Sequence, residues 1–499
     1  MLTQLWFRVV LIFCLGLTAY SFMLGSSFKF LDDQISIVHN ATIHDSRHIK
    51  ELFTQGYFND HSYYRPLVNL SFMGEYQAFG LRAFFFNFDN LLLHILNAFL
   101  VWTLVSLITA NTTLGFWAGI LFVIHPIQVE AVANISGRAI LLSAAFVLTS
   151  FIFFLLYERG DRAGFLVGSL LSFAFSLLCK ESSAVLPAVI FLYLWLNRKP
   201  VARLWPFVVV IFFYLILRFC LGMTQTFSWN NATQYILGFV TFLRSIMTDL
   251  RLFVLPVDLH FDRSQPMFLS LTDPAFLTTI FVWTVLIVWL WQGRRQVKTF
   301  VWFCLFWFFL ELLPVSQIVT SIGVAPGIIS TADHFLYLAS IPVFILLAQA
   351  TRLVGALNQQ KQWVRQDILK VAIGGVLFFF FLMNIEQNIY ASNELVMMER
   401  SLRLQPSNAR LHSSIGLIYA LSDQFSKAQE HFQKAVELDP SNARYRISLG
   451  KSICDQGRYQ ECLNIYNQIK DAGGFDQLLY DNRQAALRLE RQHDQILSK

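Results

Sequence analysis

The chain of 499 residues is 55% hydrophobic and only 14% charged, whereas soluble globular proteins carry about 25% charged residues. It contains 50 phenylalanines, its net charge is only +6, and its mean hydropathy is positive. This composition excludes an ordinary soluble domain, and no basic run with interleaved aromatic residues points to nucleic-acid binding. We therefore expect a membrane protein.

Apolar segments of spanning or near-spanning length recur from the N-terminus to about residue 386. The first one is too long and too aromatic for the core of a signal peptide, and no clear small-residue cleavage site follows it, so we predict a retained helix. In total we predict eleven membrane crossings, at residues 5–25, 87–108, 114–124, 139–157, 164–179, 184–196, 205–221, 275–292, 299–313, 335–350 and 368–386.

The basic loops predict the orientation, because basic residues collect on the cytoplasmic side of membrane proteins. If the N-terminus is cytoplasmic, all the basic loops fall on that side, and the large first outer loop 26–86 and everything after residue 387 fall on the other. The basic loops are 157–164, 197–205, 292–298 and 351–366.

One further apolar segment, 234–256, does not fit this alternation as a crossing. It contains Arg244, Asp249 and Arg251, and charges on a lipid-exposed span are costly. We therefore expect it to lie along the outer surface or to re-enter.

The C-terminal part of the chain contains an internal repeat. "PSNAR" occurs at 406–410 and again at 440–444, a period of 34 residues, and small and aromatic positions recur at the same spacing. This period is typical of tetratricopeptide repeats, which pack as an α-solenoid with a concave face. We predict a membrane domain 1–390 and a repeat domain 391–499, the latter with a partial repeat at 391–404, repeats at 409–442 and 443–474, and a terminal cap at 475–492.

The six cysteines form no CxxC pair, so a zinc or redox site is not expected. Cys454 and Cys462 could pair in an oxidising compartment, but we favour two free packed thiols. The other four lie in or beside apolar runs and are expected to be small core residues. The glycosylation sequons at Asn40, Asn69, Asn134 and Asn231 would lie outside in this topology.

Two adjacent carboxylates, Asp32 and Asp33 in "KFLDDQISIVHN", follow the first apolar segment directly. Three interpretations are open: a solvated loop start, a ligand for a divalent cation, or a general base whose pKa is tuned by its neighbour. Adjacent side chains should point in different directions, so we expect only one of them to face a substrate, with a narrow preference for Asp33.

The predicted outer loops hold the other unusual polar residues. Arg65 is either an interfacial side chain or a phosphate ligand, and Lys180 with Glu181 is either a satisfied ion pair or part of a site. His94, inside an apolar helix, favours a packing role, and His125 before Pro126 favours a helix end. The candidate substrate-binding residues are Arg65, Glu130, Arg138, Lys180, Glu181, Asp333 and His334.

Several motifs occur in an order that resembles one known family: "FLDDQISIVHN", "YYRPLVNLSF", "NLLLHILNAFLV", "HPIQVEAVANISGRAILLSAAF", "CKESSAVLPAVIFLY" and "DHFLYLASIP". They resemble the transmembrane and tetratricopeptide-repeat O-mannosyltransferases of the GT-C class. The chain departs from the family pattern at Asp333-His334-Phe335, where an arginine usually follows the acidic residue. Its repeat array is also short, and these two departures together favour a bacterial relative.

The resemblance implies an all-α GT-C-like membrane protein that transfers a mannose-like hexose from a polyprenyl-phosphate carrier to an acceptor hydroxyl, expected on protein, at the extracytoplasmic face. It implies Asp33 or Asp32 as the base, and a divalent cation such as Mg²⁺ or Mn²⁺, if one is used, at Asp32. Cations at Arg65, Arg138, Lys180 and His334 would face the departing phosphate, and Glu130 would hold Arg138 or Lys180.

The repeats would hold an acceptor polypeptide, an envelope protein or another partner, or pack on the membrane domain. The compartment would be a bacterial periplasm or the lumen of the endoplasmic reticulum. Two alternatives stay open: a non-catalytic membrane scaffold that recruits partners through its repeats, and an enzyme of the same class acting on a lipid or glycan.

Overall fold

The computed structural model describes residues 2–30, 32–57, 63–223, 232–295, 298–316, 328–361, 365–472 and 474–497. These residues are overwhelmingly helical. The strands among them, β1 (Gln265–Pro266) and β2 (Ile328–Ile329), form one short antiparallel pair. This confirms the predicted all-α class. The chain divides into a membrane unit, residues 1–259 and 263–392, and a repeat unit, residues 260–262 and 393–499.

The membrane unit is built from fifteen α-helices in its described part, connected by short 3₁₀ segments. They are α1 (Leu2–Ala19), α2 (Ala41–His44), α3 (Pro66–Phe79), α4 (Ala83–Thr109), α5 (Thr112–Ile124), α6 (Val129–Val132), α7 (Arg138–Gly160), α8 (Ala163–Leu177), α9 (Leu186–Leu196), α10 (Trp205–Cys220), α11 (Ala232–Val254), α12 (Pro274–Gly293), α13 (Thr299–Leu312), α14 (Leu336–Lys361) and α15 (Gln366–Ala391).

Six helical segments of the described chain are long and apolar enough to cross a membrane, and a seventh is added if α5 and the bent segment after it count as one span. Four shorter apolar helices, α1, α8, α9 and α13 with its 3₁₀ extension, accompany them. Several of these helices expose large apolar side chains, such as Phe219 and Phe281, as lipid-facing surfaces do. The chain is thus a polytopic membrane protein, while the count of eleven crossings stays a prediction.

Two of the predicted basic loops meet at one end of the membrane unit. Glu158, near the end of α7, forms ion pairs with Lys199 and Arg203 in the segment between α9 and α10. This places loops 157–164 and 197–205 at the same end, as the basic-loop pattern predicted.

The first outer loop is folded and packs on the opposite end. Between α1 and α4 it forms α2, α3 and 3₁₀ turns, and its apolar side chains make a core with residues of α4 and α7. This core holds Ile37, Leu52, Phe72 and Phe86 together with Ile135. The loop is therefore held against the helices by buried apolar surface.

The apolar segment predicted not to cross forms α11, which is not among the helices of spanning composition. It is amphipathic and buries one face, including Asp249, while Phe239 and Met247 are exposed on another. Whether it lies along the surface or re-enters stays a prediction.

The repeat unit consists of six helices in its described part, arranged as successive pairs. They are α16 (Glu394–Leu404), α17 (Ala409–Leu421), α18 (Phe425–Leu438), α19 (Ala443–Cys454), α20 (Tyr459–Gln468) and α21 (Asp476–Leu497). Within two of these pairs, α17–α18 and α19–α20, a glycine permits close packing: a Cβ on Gly450 in α19 would overlap the ring of Tyr466 in α20. Gly416 and Phe432 stand in the same relation one repeat earlier.

A disulfide links Cys454, the last residue of α19, to Cys462 in the first turns of α20, with Cα atoms 5.3 Å apart. The preference for two free thiols was therefore wrong. The turn between two antiparallel helices brings these cysteines together across eight positions of sequence. Of the other four, Cys179 and Cys304 are buried as predicted, whereas Cys14 and Cys220 are exposed.

Candidate active site

Asp33 is buried at the start of the first outer loop and is only 1% exposed. One carboxylate oxygen accepts the backbone N–H of Lys29 at 2.9 Å, and the other accepts the backbone N–H of Ser136 at 3.0 Å. Burial raises the pKa of Asp33 to about 6, although the nearby N–H groups and the Lys29 charge lower it. Asp33 thus anchors the outer loop to the 125–138 segment.

Asp32 is exposed, in contrast to its neighbour. The expectation that the two side chains point in different directions is met. The narrow preference for Asp33 as the residue facing a substrate is not supported, because the accessible carboxylate is Asp32.

Lys29 is a site residue that the sequence did not single out. Its ammonium donates to the carbonyl of Ala133 at 2.9 Å and to the side chain of Asn134, so it fastens the same two segments as Asp33. The signal in the sequence was a lysine three residues before an acidic pair, at the edge of an apolar run.

The side chains of the predicted glycosylation sequons differ in their surroundings. The Asn134 amide donates a hydrogen bond to the carbonyl of Glu130, so protein contacts already engage this side chain. Asn69 is buried in α3, Asn40 is partly buried, and Asn231 lies outside the described residues.

Glu181 pairs with Arg65 and not with Lys180. The Arg65 guanidinium donates to Glu181 at 3.2 Å from both Nε and Nη2, and the backbone N–H of Tyr64 donates to the same carboxylate at 2.8 Å. Arg65 also lies over the rings of Tyr63 and Tyr57. Arg65 is therefore fixed in place beside the loop that carries Lys180.

Lys180 is a partly buried cation. The two carboxylates that favour its charged form, Glu181 and Glu130, are bonded to other residues. Burial, together with the positive charge of Arg65, lowers the pKa of Lys180 to about 7, and Glu181 and Glu130 counteract this. In the part of the chain that the structure describes, its ammonium forms no ion pair. A cation held in this way is suited to bind an anion, which would restore its charge.

Glu130 binds His334. The imidazole Nδ1 lies 2.7 Å from one carboxylate oxygen, and the His334 backbone N–H donates to the other at 3.2 Å. The sequence predicted that Glu130 would hold Arg138 or Lys180. That prediction was wrong for direct contacts, because the partner of Glu130 is His334. The pair joins the 125–138 segment to the turn before α14.

Arg138 is only 1% exposed, and protein groups engage its guanidinium. It donates to Glu75, to Asn90 at 2.5 Å and to the carbonyl of Phe86 at 2.9 Å. Burial raises the pKa of Glu75 to about 8, against the effect of Arg138. The structure thus gives Arg138 a packing role, because α7 begins beneath the outer loop and not at its surface.

The shape of the 125–138 segment depends on Gly137. A Cβ at this position would overlap the carbonyl oxygen of Ala131, so a side chain would push the segment open. The segment begins where α5 ends, at the extended residue His125 before Pro126, as predicted. Gly137 therefore helps to set the positions of Glu130 and Ser136.

Asp333 is buried and binds Arg263, at 3.1 Å between Nη2 and one oxygen and 3.2 Å to the other. The sequence marked Asp333 but did not assign a role to Arg263, although the charged run "DLHFDR" contains it.

His94 is fully buried beside Tyr20 and Phe122, and its Nδ1 lies 2.9 Å from the Tyr337 hydroxyl. The predicted packing role of His94 agrees with these contacts.

Among the described residues, the surroundings of Asp32 supply no ready set of metal ligands. Both oxygens of Asp33 accept backbone N–H groups, and no three His, Cys, Asp or Glu side chains of the described chain are grouped for metal binding. A divalent cation at Asp32 stays a prediction.

Four chain segments converge at one end of the membrane unit: the first outer loop, 125–138, 179–183 and 331–338. They bring together an exposed carboxylate, a partly buried lysine, and two ion pairs formed by Arg65 with Glu181 and by His334 with Glu130. A polytopic helical protein with such a cluster of charged groups at one membrane boundary, followed in sequence by helical repeats, is a candidate membrane enzyme.

The comparisons with known proteins agree with this description. A tetratricopeptide repeat model matches residues 409–442, the range predicted for the first repeat. The chain is similar to a protein O-mannosyl-transferase of Caenorhabditis elegans, at 23% identity over 86% of this chain and 62% of that protein. It is also similar to Tmtc3 of Drosophila melanogaster, named a protein O-mannosyl-transferase, at 24% identity over 82% of this chain and 52% of that protein. A shorter stretch, 28% of this chain and 16% of the relative, is 33% identical to the protein O-mannosyl-transferase TMTC1 of Homo sapiens.

The chain is therefore a homologue of the TMTC-type protein O-mannosyltransferases, as the sequence motifs suggested. It spans 62% of the length of the nematode relative and 52% of the fly relative. These relatives are animal proteins, so the predicted bacterial source finds no support.

Proposed function

We propose that the chain is a membrane glycosyltransferase that moves a mannose-like hexose from a polyprenyl-phosphate carrier to a hydroxyl group on protein, at the extracytoplasmic face. The relatives named as protein O-mannosyl-transferases support the reaction class. The disulfide of the repeat unit supports an oxidising compartment on the side that the repeats face.

The observation that carries this proposal is the state of Lys180. Its neighbouring carboxylates are bonded to Arg65 and His334, which leaves a positive group without a direct counter-ion in the described residues. A lipid-linked phosphate at the membrane boundary supplies the missing negative charge. Arg65, held by Glu181 beside Lys180, adds a second cation on the same side.

The reaction needs one proton transfer and one leaving group. The acceptor oxygen forms a bond to the anomeric carbon, the bond from that carbon to the phosphate oxygen breaks, and the electron pair stays on the phosphate. The acceptor proton passes to a carboxylate, for which the exposed Asp32 is best placed. Lys180 and Arg65 stabilise the charge that grows on the phosphate.

Asp33 and Lys29 position the base. Together they hold the loop that carries Asp32 against residues 133–136. Three hydrogen bonds join the loop to that segment, and a fourth, from the Lys29 backbone to Asp33, lies within the loop. We assign Asp33 as a positioning residue, which acts through the geometry of Asp32.

The test is transfer of labelled sugar from a polyprenyl-phosphate hexose to protein by purified Asp32→Asn chain. We expect transfer to fall by about 10²–10⁴-fold, the usual contribution of a general base, with thermal stability unchanged. Asp45→Asn is the matched control, since Asp45 is a partly exposed residue of the same loop that an asparagine can replace as a helix cap. Wild-type transfer by Asp32→Asn would contradict the assignment of the base.

The same assay separates the alternatives. Label that enters lipid or glycan, and not protein, points to a different acceptor. No consumption of any polyprenyl-phosphate sugar, with capture of partners by the repeats, would support a scaffold and overturn the proposed enzyme.

A further inference from the structure

A basic surface lies at the end of the membrane unit opposite to the candidate active site. It is formed by loops 157–164 and 197–205, which together hold five basic residues and two acidic ones, a net charge of +3. The basic residues are Arg159, Arg162, Arg198, Lys199 and Arg203. The distribution of basic residues in the sequence predicts only an orientation, whereas the structure shows that these two loops form one surface.

The centre of this basic surface is a nearly buried carboxylate. The side chain of Glu158 is 2% exposed and pairs with Lys199, at 3.1 Å, and with Arg203. The Arg203 guanidinium also lies over the ring of Tyr157, and the Lys199 ammonium lies over the ring of Tyr193. Because two cations share one carboxylate, the cluster keeps a positive charge. Both cations are fixed in place, yet they remain 33% and 31% exposed.

Two further arginines are exposed beside this cluster. Arg162 follows Glu158 by four residues, at the start of α8, and Arg198 directly precedes Lys199. Neither forms an ion pair with any residue that the structure describes. The second acidic residue of the surface, Asp161, lies in the turn before α8 and is also exposed. The two arginines therefore have their charges available to a ligand.

Two tryptophans indicate the depth of the basic surface in the membrane. Trp195, in the last turn of α9, is 59% exposed, and Trp205, the first residue of α10, is 66% exposed. Exposed tryptophans are enriched where the hydrocarbon layer meets the headgroups, because the ring is apolar and its N–H is polar. The helical segment that includes α10 is long and apolar enough to cross the membrane. The loop between the two tryptophans therefore lies at the level of the phospholipid headgroups.

Charge and depth together indicate the kind of ligand that fits. A surface with a net charge of +3 attracts anions, and the anions at this level are lipid headgroups. Phosphatidylcholine offers a phosphate but carries its own cation, so its net charge is zero. Phosphatidylserine has a net negative charge. Each basic residue near an anionic lipid surface strengthens the attraction by about fivefold.

We propose that Arg162, Arg198, Lys199 and Arg203 bind the headgroup of an anionic phospholipid in the leaflet at this end of the membrane unit. Lys199 and Arg203 supply donors that Glu158 holds in place, so little side-chain freedom is lost on binding. The two exposed arginines add positive charge beside them. The site is independent of the proposed reaction, because it lies at the other end from the candidate active site.

The test is native mass spectrometry of the full chain, purified in detergent and titrated with phosphatidylserine or with phosphatidylcholine. We expect wild type to bind phosphatidylserine more tightly. Arg162→Gln and Arg198→Gln should each raise the Kd of phosphatidylserine about fivefold, and the double variant about 25-fold, while the Kd of phosphatidylcholine stays unchanged. Thermal unfolding should also stay unchanged, because both variants leave the ion pairs of Glu158 intact.

Arg47→Gln is the matched control. Arg47 has an 87% exposed side chain and lies in the first outer loop, at the opposite end of the membrane unit. Its replacement should leave the Kd of both lipids unchanged. A second control is glycerophosphoserine, the soluble headgroup without acyl chains, which should bind at least about tenfold more weakly than phosphatidylserine because it buries no hydrocarbon.

Three results would overturn the inference. The first is an equal Kd of phosphatidylserine for wild type and the double variant, and the second is equal binding of the two lipids by wild type. The third is glycerophosphoserine that binds as tightly as phosphatidylserine, since the surface would then take an anion from solution and not a lipid.

Discussion

Asp32 and Asp33 are neighbours in sequence, but the fold gives them different environments. Asp33 lies among backbone donors in the interior, where burial raises its pKa to about 6, and Asp32 lies at the surface. The acidic pair thus combines a structural anchor and an accessible carboxylate. This division separates the two carboxylates: Asp33 fixes the loop, and Asp32 lies at its surface.

The pKa of Asp33 makes the stability of the membrane unit depend on pH. Because its folded pKa of about 6 lies above its ordinary value of 3.8, the folded state binds this proton more tightly than the unfolded state. Stability from this group is present at low pH and is lost as pH rises through about 6. Between pH 7.5 and pH 5, wild type should therefore gain about 1.4 kcal/mol relative to Asp33→Asn, which cannot titrate.

Thermal unfolding in detergent at several pH values checks this, with the difference between wild type and variant as the measured quantity. The difference removes contributions that both proteins share. A difference that is constant with pH would show that Asp33 is not shifted.

Side-chain partners across the loops could not be predicted from the sequence. Glu130 was expected to bind Arg138 or Lys180, but it binds His334, 204 positions later in the chain. That contact depends on how α14 packs beside the 125–138 segment, which no local pattern encodes. Lys29 and Arg263 were missed for the same reason, since their roles come from tertiary neighbours.

At the scale of elements, the apolar runs located the helices well but not their ends. Each of the eleven predicted crossings coincides with a helix, because a run of this composition must satisfy its own backbone bonds in lipid. The segment predicted at 335–350 continues as α14 to Lys361. Hydropathy marks where the apolar stretch stops, whereas a helix continues until a residue breaks it.

The repeat helices pack through glycines that leave no space for a side chain. Gly450→Ala should lower the free energy of unfolding of the repeat unit by about 1–3 kcal/mol, because the new Cβ overlaps the Tyr466 ring. Hydrogen exchange of α19 and α20 in the full chain measures this. Tyr466→Leu in the Gly450→Ala background should recover part of the loss, whereas Gly450→Ala without faster exchange would contradict the packing.

Two histidines of the first full repeat make the repeat unit sensitive to acid. The Nδ1 atoms of His412 in α17 and His431 in α18 lie 3.2 Å apart, so one must accept a hydrogen bond from the other. Burial lowers the pKa of both, the neighbouring His412 lowers that of His431 further, and Lys434 lowers that of His412. Glu437, Glu430 and Glu399 act in the opposite direction.

Because the folded state disfavours protonation of these histidines, their contribution to stability is present above the unfolded pKa near 6.5 and is lost as pH falls. Hydrogen exchange of α17 and α18 should therefore accelerate between pH 7.5 and pH 5.5, after correction for the intrinsic rate. His431→Gln should reduce this acceleration, and His48→Gln, at a partly exposed position in the first outer loop, should not. Equal acceleration in wild type and His431→Gln would rule out the pair as the cause.

At the scale of the whole molecule, the two ends of the membrane unit differ in chemistry. One end carries the loops joined by Glu158, Lys199 and Arg203, and the other carries the acidic pair and the candidate active site. This contrast follows from the alternation of basic loops in the sequence. The orientation itself, with the active site outside, is part of the proposed function.

Labelling with a membrane-impermeant maleimide tests the orientation in sealed vesicles. Arg198→Cys places a thiol in the exposed 197–205 loop, and Asp423→Cys places one in the exposed turn between α17 and α18. In vesicles whose outer surface is cytoplasmic, the first should label directly and the second only after the membrane is opened. The disulfide of the repeat unit leaves Cys454 and Cys462 unreactive, and wild type measures labelling of the remaining cysteines. Direct labelling of both variants would place the repeats in the cytoplasm, where a disulfide would not persist. An active site at the opposite face of the membrane could then not act on a protein held by the repeats.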